Sequence, residues 1–196
     1  MQAEAYVSPQ ASPRIKGFAI RGLLKYVKQR GYPGGIPRIL ATLSEEDGVL
    51  FDERVLSSSW YPYRAFTALL HAIDDELGAG DLSSLHVVGE FSGTQDAGTI
   101  FKIVLSLASI ERVISIAPPF WKRYCDRGWF EPLESTPGRL RIRLNDFPDI
   151  EPGHCQLIAG WIEGLGRTAG AENPVAEHAV CVHSGDPHCV FEASWH

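Results

Sequence analysis

Val175-Ala176-Glu177-His178-Ala179-Val180-Cys181-Val182-His183-Ser184-Gly185-Asp186-Pro187-His188-Cys189-Val190-Phe191 reads as two strand-like runs around a turn. Ser184-Gly185-Asp186-Pro187 supplies the residue types that reverse a chain, so a hairpin is expected with arms at 175–183 and 188–191. In such a hairpin Cys181 and Cys189 lie four residues either side of Gly185, on adjacent strands, where their side chains can face each other.

Upstream of the hairpin, Leu140-Arg141-Ile142-Arg143-Leu144 alternates apolar and basic residues, the pattern of a half-buried strand with its arginines facing water. A helix is predicted from about His154 to Leu165, with Leu157, Ile158, Trp161 and Leu165 on its apolar face. The first two thirds read as helices. Apolar positions recur at helical spacing in 16–30, and Gly31-Tyr32-Pro33-Gly34-Gly35 stops that run. A short helix fits 37–43, and an amphipathic one fits 62–77, ending at Gly78-Ala79-Gly80. Asp81 or Ser83 caps a successor carrying Leu85, Val88 and Phe91, and 99–116 reads as a helix buried in the domain centre, interrupted at Pro118-Pro119. Helices followed by an antiparallel sheet with one inserted helix make an α+β fold.

The 196 residues, 44% hydrophobic, suffice for one core, so residues 14–196 are expected to form a single domain behind a flexible tail of 1–13. Eighteen Lys and Arg against 24 Asp and Glu give a net charge of −6, which offers no field to attract a polyanion. The basic residues between Arg14 and Arg38 read as a solvated helix face, and nucleic acid is not an expected partner. No stretch approaches a membrane span and the N-terminus lacks the regions of a secretory signal, which points to the cytoplasm.

Cys155, His178, Cys181 and Cys189 are the residues with the most chemistry. Three thiolates and one imidazole would close a tetrahedral zinc site, structural because no position is left for substrate. Buried free thiols and a Cys181–Cys189 disulfide remain the alternatives, the disulfide disfavoured in a cytosolic setting. Cys125, beside Tyr124, reads as a packing residue. Gly164-Leu165-Gly166-Arg167-Thr168-Ala169-Gly170 resembles a dinucleotide fingerprint, but it closes a helix where that loop should follow a strand. His183-Ser184-Gly185-Asp186 sets triad residue types side by side, whereas a triad converges from separate elements. The carboxylates of 45–47 and 74–76 read as solvated charge on a loop and a helix end, so no catalytic constellation is found and the chain is not expected to be an enzyme.

The run from Gly160 through Trp161, Gly164 and Gly170 to the stretch 177–191 resembles the end of the 4-vinyl-reductase domains: a glycine-bearing helix, a strand, a Cys, a Gly-Asp turn, a second Cys and an aromatic residue. Upstream, the resemblance is one of helix order and of Trp60-Tyr61-Pro62-Tyr63 opening a helix. It implies a fold like the TRAPP vesicle-tethering subunits, commonly homodimeric. In the bacterial aromatic-sensing regulators of this kind it implies a zinc held by three Cys and a Glu. Cys155, Cys181 and Cys189 match those cysteines, and His178 stands where the Glu would be, next to Glu177.

Those regulators enclose an effector in an apolar pocket, and the aromatic concentration of Phe120, Trp121, Tyr124, Trp129 and Phe130 is the matching candidate here, with core filling as the alternative. His86 is either a polar handle or a core histidine. The expected function is a small-molecule sensor for a hydrophobic or aromatic ligand. Its output would pass through a partner protein, because the chain ends at His196, directly after the hairpin. A ligand-free TRAPP-like scaffold and a tetrapyrrole-handling accessory protein are the alternatives.

Overall fold

The computed structural model describes residues 12–52, 54–96 and 121–196. The helix expected at 99–116, the Pro118-Pro119 break, Phe120 and most of the N-terminal tail lie outside them. A short strand, β1 (Arg14–Lys16), pairs antiparallel with β2 (Trp60–Pro62). From these two strands spring the long helices α1 (Gly17–Arg30) and α4 (Tyr63–Leu77). Helix α1 stops at Gly31, whose φ of 63° lets its amide reach the Lys28 carbonyl.

Two short helices connect them, α2 (Gly35–Leu40) and α3 (Glu45–Asp52). The second corrects the loop expected at 45–47. Ser44 Oγ accepts the Asp47 amide at 3.2 Å and lies 3.0 Å from the Asp47 carboxylate, an end-of-helix arrangement that three successive acidic residues further favour. Of the carboxylates expected to be solvated, Glu45, Glu46 and Asp75 are exposed, but Asp47 and Asp74 are not. Asp47 is buried against Arg64 at 2.6 Å, and Asp74 is buried with its Oδ2 accepting the Leu82 amide at 2.7 Å and its Oδ1 accepting from Ser84. Asp74 therefore fastens the turn between α4 and the helix that follows it.

That helix, α5 (Ser84–Asp96), packs on α6 (Pro152–Thr168) with almost no space between their backbones. Gly89 and Gly93 on α5 face Gly160 and Gly164 on α6, each pair four residues apart and so on one face. A Cβ on any of the four would strike the backbone of the opposite helix. In the sequence the α6 glycines stand out only as part of a resemblance. Their work here is to let two helices touch.

The sheet has the order β3-β4-β6-β5 with every pairing antiparallel: β3 (Trp129–Thr136), β4 (Arg139–Asn145), β5 (Val175–Val180) and β6 (Cys189–Ser194). Mixed α and β with a small antiparallel sheet is what the patterning implies. Strand β4 buries Leu140, Ile142 and Leu144, while its arginines pair on the outer face, Arg143 with Glu131 at 2.6 Å and Arg141 with Glu192 at 2.7 Å. Strand β3 was missed because Pro132 and two glutamates interrupt its pattern. It is an edge strand with a bulge between Pro132 and Glu134, a place that tolerates proline.

The expected hairpin forms with a correction. Pairing of β5 with β6 runs through His178↔Phe191, shifts, and ends at Val180↔Val190, so Cys181 leaves the ladder one residue before it would face Cys189. The connection then turns through a short 3₁₀ segment at 182–184 and Gly185, with φ of 95°, which draws Cys181 out of the strand. Among the described residues no helix is long and apolar enough to cross a membrane.

Candidate ligand cavity and metal centre

The first turn of α6 serves two sites at once. Glu151 caps it, its carboxylate accepting the His154 amide at 3.3 Å, and Pro152 at the first helical position is compatible with that start. Consecutive residues on a helix diverge by about 100°. His154 lines a cavity between helices and sheet, while Cys155 meets the sheet at Cys189.

The cavity has a volume of about 50 Å³. Its inner wall includes Phe66, Trp121, Phe130 and His154, all buried. Its outer part is bounded by the half-buried rings of Phe18, Tyr124 and Trp161, stacked edge to face with centroids 5.6 Å and 5.4 Å apart along the trio. His154 lies nearly parallel to Trp121 at 5.6 Å and takes the edge of Phe66 at 5.1 Å.

The His154 ring is held in one state. Burial pushes its pKa down to about 3, so it is neutral at physiological pH. Its Nδ1 is 2.9 Å from the Tyr63 hydroxyl, and that same oxygen accepts the Glu151 amide at 3.2 Å. Among the described residues His154 Nδ1 is the one acceptor in reach of the Tyr63 proton, which assigns the hydroxyl as donor to Nδ1 and the ring hydrogen to Nε2.

Of the sequence candidates for a pocket, Trp121 and Phe130 line the cavity and Phe120 lies outside the described residues. Trp129 is a correction: strand alternation sends it to the other face from Phe130, where it is 41% exposed and its indole donates to Asp146 at 2.9 Å. His86 is not a handle either, because its Nε2 pairs with Glu163 at 3.1 Å between α5 and α6. Ser92 and His154 were missed. A lone serine carries no signal in a sequence, and His154 was noted only as a neighbour of Cys155.

At the sheet end of α6, one ligand atom each from Cys155, His178 and Cys189 falls within 4.8 Å of the others. The two sulfurs are 4.0 Å apart. His178 stacks on Phe191 at 4.9 Å, and its Nε2 is buried without a hydrogen-bond partner among the described residues. The two thiols shift in opposite directions: the contact with Cys189 and then burial raise Cys155, and the contact with Cys155, aided by His178, lowers Cys189. Cys181 stands outside that tight set but near enough to add to the charge felt by Cys155. All four cysteines, Cys125 included, are free. Cys125 is fully buried away from this group, and burial pushes its thiol up to about 12, as suits the packing residue expected.

The sequence matches no family model, and no characterised protein matches it by sequence. Solved structures do resemble the fold. An H-NOX protein from S. oneidensis in the Fe(II)NO ligation state is 15% identical with a TM-score of 0.68, over 92% of this chain and 99% of that one. A protein studied for haem redox potential and porphyrin distortion gives 9% and 0.64, over 92% and 99%. The phenol-responsive sensory domain of the transcription activator PoxR, with phenol, gives 15% and 0.53, over 90% of each chain. What these structures share with the chain is the fold.

Haem does not fit here. The cavity of about 50 Å³ is a third of the ~150 Å³ void that holds benzene. In its described lining the iron-ligating residue types are His154, whose Nδ1 is held by Tyr63, and Tyr124, and residues 97–120 contain no His, Cys, Met or Tyr to hold an iron.

Proposed function

We propose that this chain is a non-catalytic small-molecule sensor module of the 4-vinyl-reductase-like kind, with the cavity behind Phe18, Tyr124 and Trp161 as its effector site. The observation that carries the reading is that cavity itself, an aromatic-walled space with few polar groups, which is how small-molecule sites are generally built. Supporting it, the fold is one that phenol-responsive and H-NOX domains also adopt. A single-ring hydrophobic ligand exceeds the present volume, so its entry displaces a rim ring. That displacement gives the differential contact a sensor needs between free and bound states, and a partner protein reads it.

In the same reading a structural zinc ties α6 to the sheet through Cys155, His178 and Cys189, with Cys181 as the fourth ligand. An imidazole replaces the carboxylate of the related regulators, a change zinc accepts. The unpartnered Nε2 of His178 is the observation in favour.

The test is a thermal-shift screen of single-ring aromatics with native mass spectrometry of the purified protein. A ligand at a hundred times its Kd should stabilise the fold by about 2.7 kcal/mol. If no single-ring compound moves the melting temperature and none binds in the spectrometer, the sensor reading is overturned.

A further inference from the structure

We infer that Ser92 and His154 form a polar pair that makes the cavity select small neutral compounds bearing a carbonyl or hydroxyl oxygen; this rests on the reading of the cavity as an effector site. Both residues line it. Ser92 is 8% exposed and its Oγ has no hydrogen-bond partner among the described residues, although a buried hydroxyl ordinarily has one. It stands opposite Gly22 of α1, where a Cβ would come within 3.3 Å of that oxygen, so the glycine keeps the hydroxyl open to the cavity.

His154 supplies the other half. Tyr63, which holds Nδ1, is not part of the lining, while His154 is, so the ring edge bearing Nε2–H is the one turned toward the space. Among the described residues nothing accepts that hydrogen. Among the described lining residues, the pair thus offers one fixed donor and one hydroxyl beside rings and aliphatic side chains. A carbonyl or hydroxyl oxygen satisfies both groups. An ammonium group meets a donor at Nε2, and a carboxylate loses its water without a cation to replace it among the described lining residues. Tyr63 is a positioning residue, fixing the tautomer that donates.

The test uses xenon, which suits the present volume, as a polarity-blind probe of the cavity, then acetone, 2-propanol, 2-chloropropane, isopropylammonium and acetate, compounds smaller than a single ring, titrated by NMR into the intact protein. Acetone and 2-propanol should bind about five- to tenfold tighter than 2-chloropropane, the margin one or two modest hydrogen bonds provide. The charged pair should not bind. Ser92→Ala should narrow that margin while leaving xenon binding in place. The ¹⁵N shifts of His154 should show Nδ1 bare and Nε2 protonated, and Tyr63→Phe should mix the tautomers. Xenon binding with no preference among the three neutral probes, or the opposite tautomer in the wild type, overturns the polar pair and leaves the cavity reading standing. Absence of binding by xenon and every probe removes both.

Discussion

Cys155 Sγ lies 4.0 Å from Cys189 Sγ, joining the first turn of α6 to the first residue of β6. Two thiolates on one tetrahedral zinc, each about 2.3 Å from the metal, stand about 3.8 Å apart. The separation suits a shared metal, whereas a disulfide requires the sulfurs to close to about 2.05 Å.

Protein purified without chelator should therefore carry one zinc per chain by elemental analysis, and Cys189→Ser should lose it. The variant should be less stable by about 3 kcal/mol, roughly 6–12 °C in Tm for a chain of this size. A chelator should lower the wild-type Tm toward that of the variant and leave the variant unmoved. Cys125→Ser should keep its metal, since Cys125 is buried elsewhere. Wild-type protein with no metal would remove the proposed centre.

Gly160 carries a second expectation. A methyl group there would strike the His86 carbonyl on α5, and helix propensity alone would favour alanine by about 1 kcal/mol. The steric term wins because the neighbour is backbone and cannot swing aside. Gly160→Ala should cost about 2–3 kcal/mol net by chemical denaturation. Gly170→Ala has open space around it but a φ of 94°, so its smaller cost, about 1–2 kcal/mol, reports backbone strain. Equal or greater stability in Gly160→Ala would mean that α5 and α6 are not held as closely as described.

How much of this was legible in the sequence depends on whether a pattern is local. The helices with an apolar stripe and the alternation of β4 were readable, because Leu140, Ile142 and Leu144 register one buried face without any partner being known. Spacing and resemblance also grouped Cys155, His178, Cys181 and Cys189, of which Cys155, His178 and Cys189 lie together while Cys181 stands outside that set. Ser92 and His154 were not, since a polar residue in a cavity is recognised only once the walls from α1, α4, α5 and β3 are in place. Asp74 misled for the same reason: its partners, Leu82 and Ser84, belong to the following turn and the start of α5, and sequence offers no view of burial.

Stability should fall in mild acid through His154. Unfolded, the ring takes up a proton near 6.5, while burial holds the folded value at about 3. Between those values the unfolded chain binds more protons, so stability rises with pH; the contribution is complete above about 6.5 and declines as pH drops toward 3. One proton limits the slope to about 1.4 kcal/mol per pH unit. Denaturation at pH 7.5 and pH 5 should show a larger difference for the wild type than for His154→Gln, and equal differences would contradict the buried neutral ring.

Trp129 and Phe130 are neighbours in sequence with opposite fates in β3. Phe130 is 3% exposed, packs edge-on against Trp121 at 4.9 Å and forms part of the cavity wall. Phe130→Ala should cost about 3–5 kcal/mol and enlarge the cavity, since a removed core ring leaves a void the surroundings fill only in part. Trp129→Ala gives up an exposed ring and one hydrogen bond to Asp146, worth about 1 kcal/mol. If Trp129→Ala were the more damaging change, or the one that altered xenon uptake, the alternation of β3 would be reversed and with it the wall assigned to the cavity.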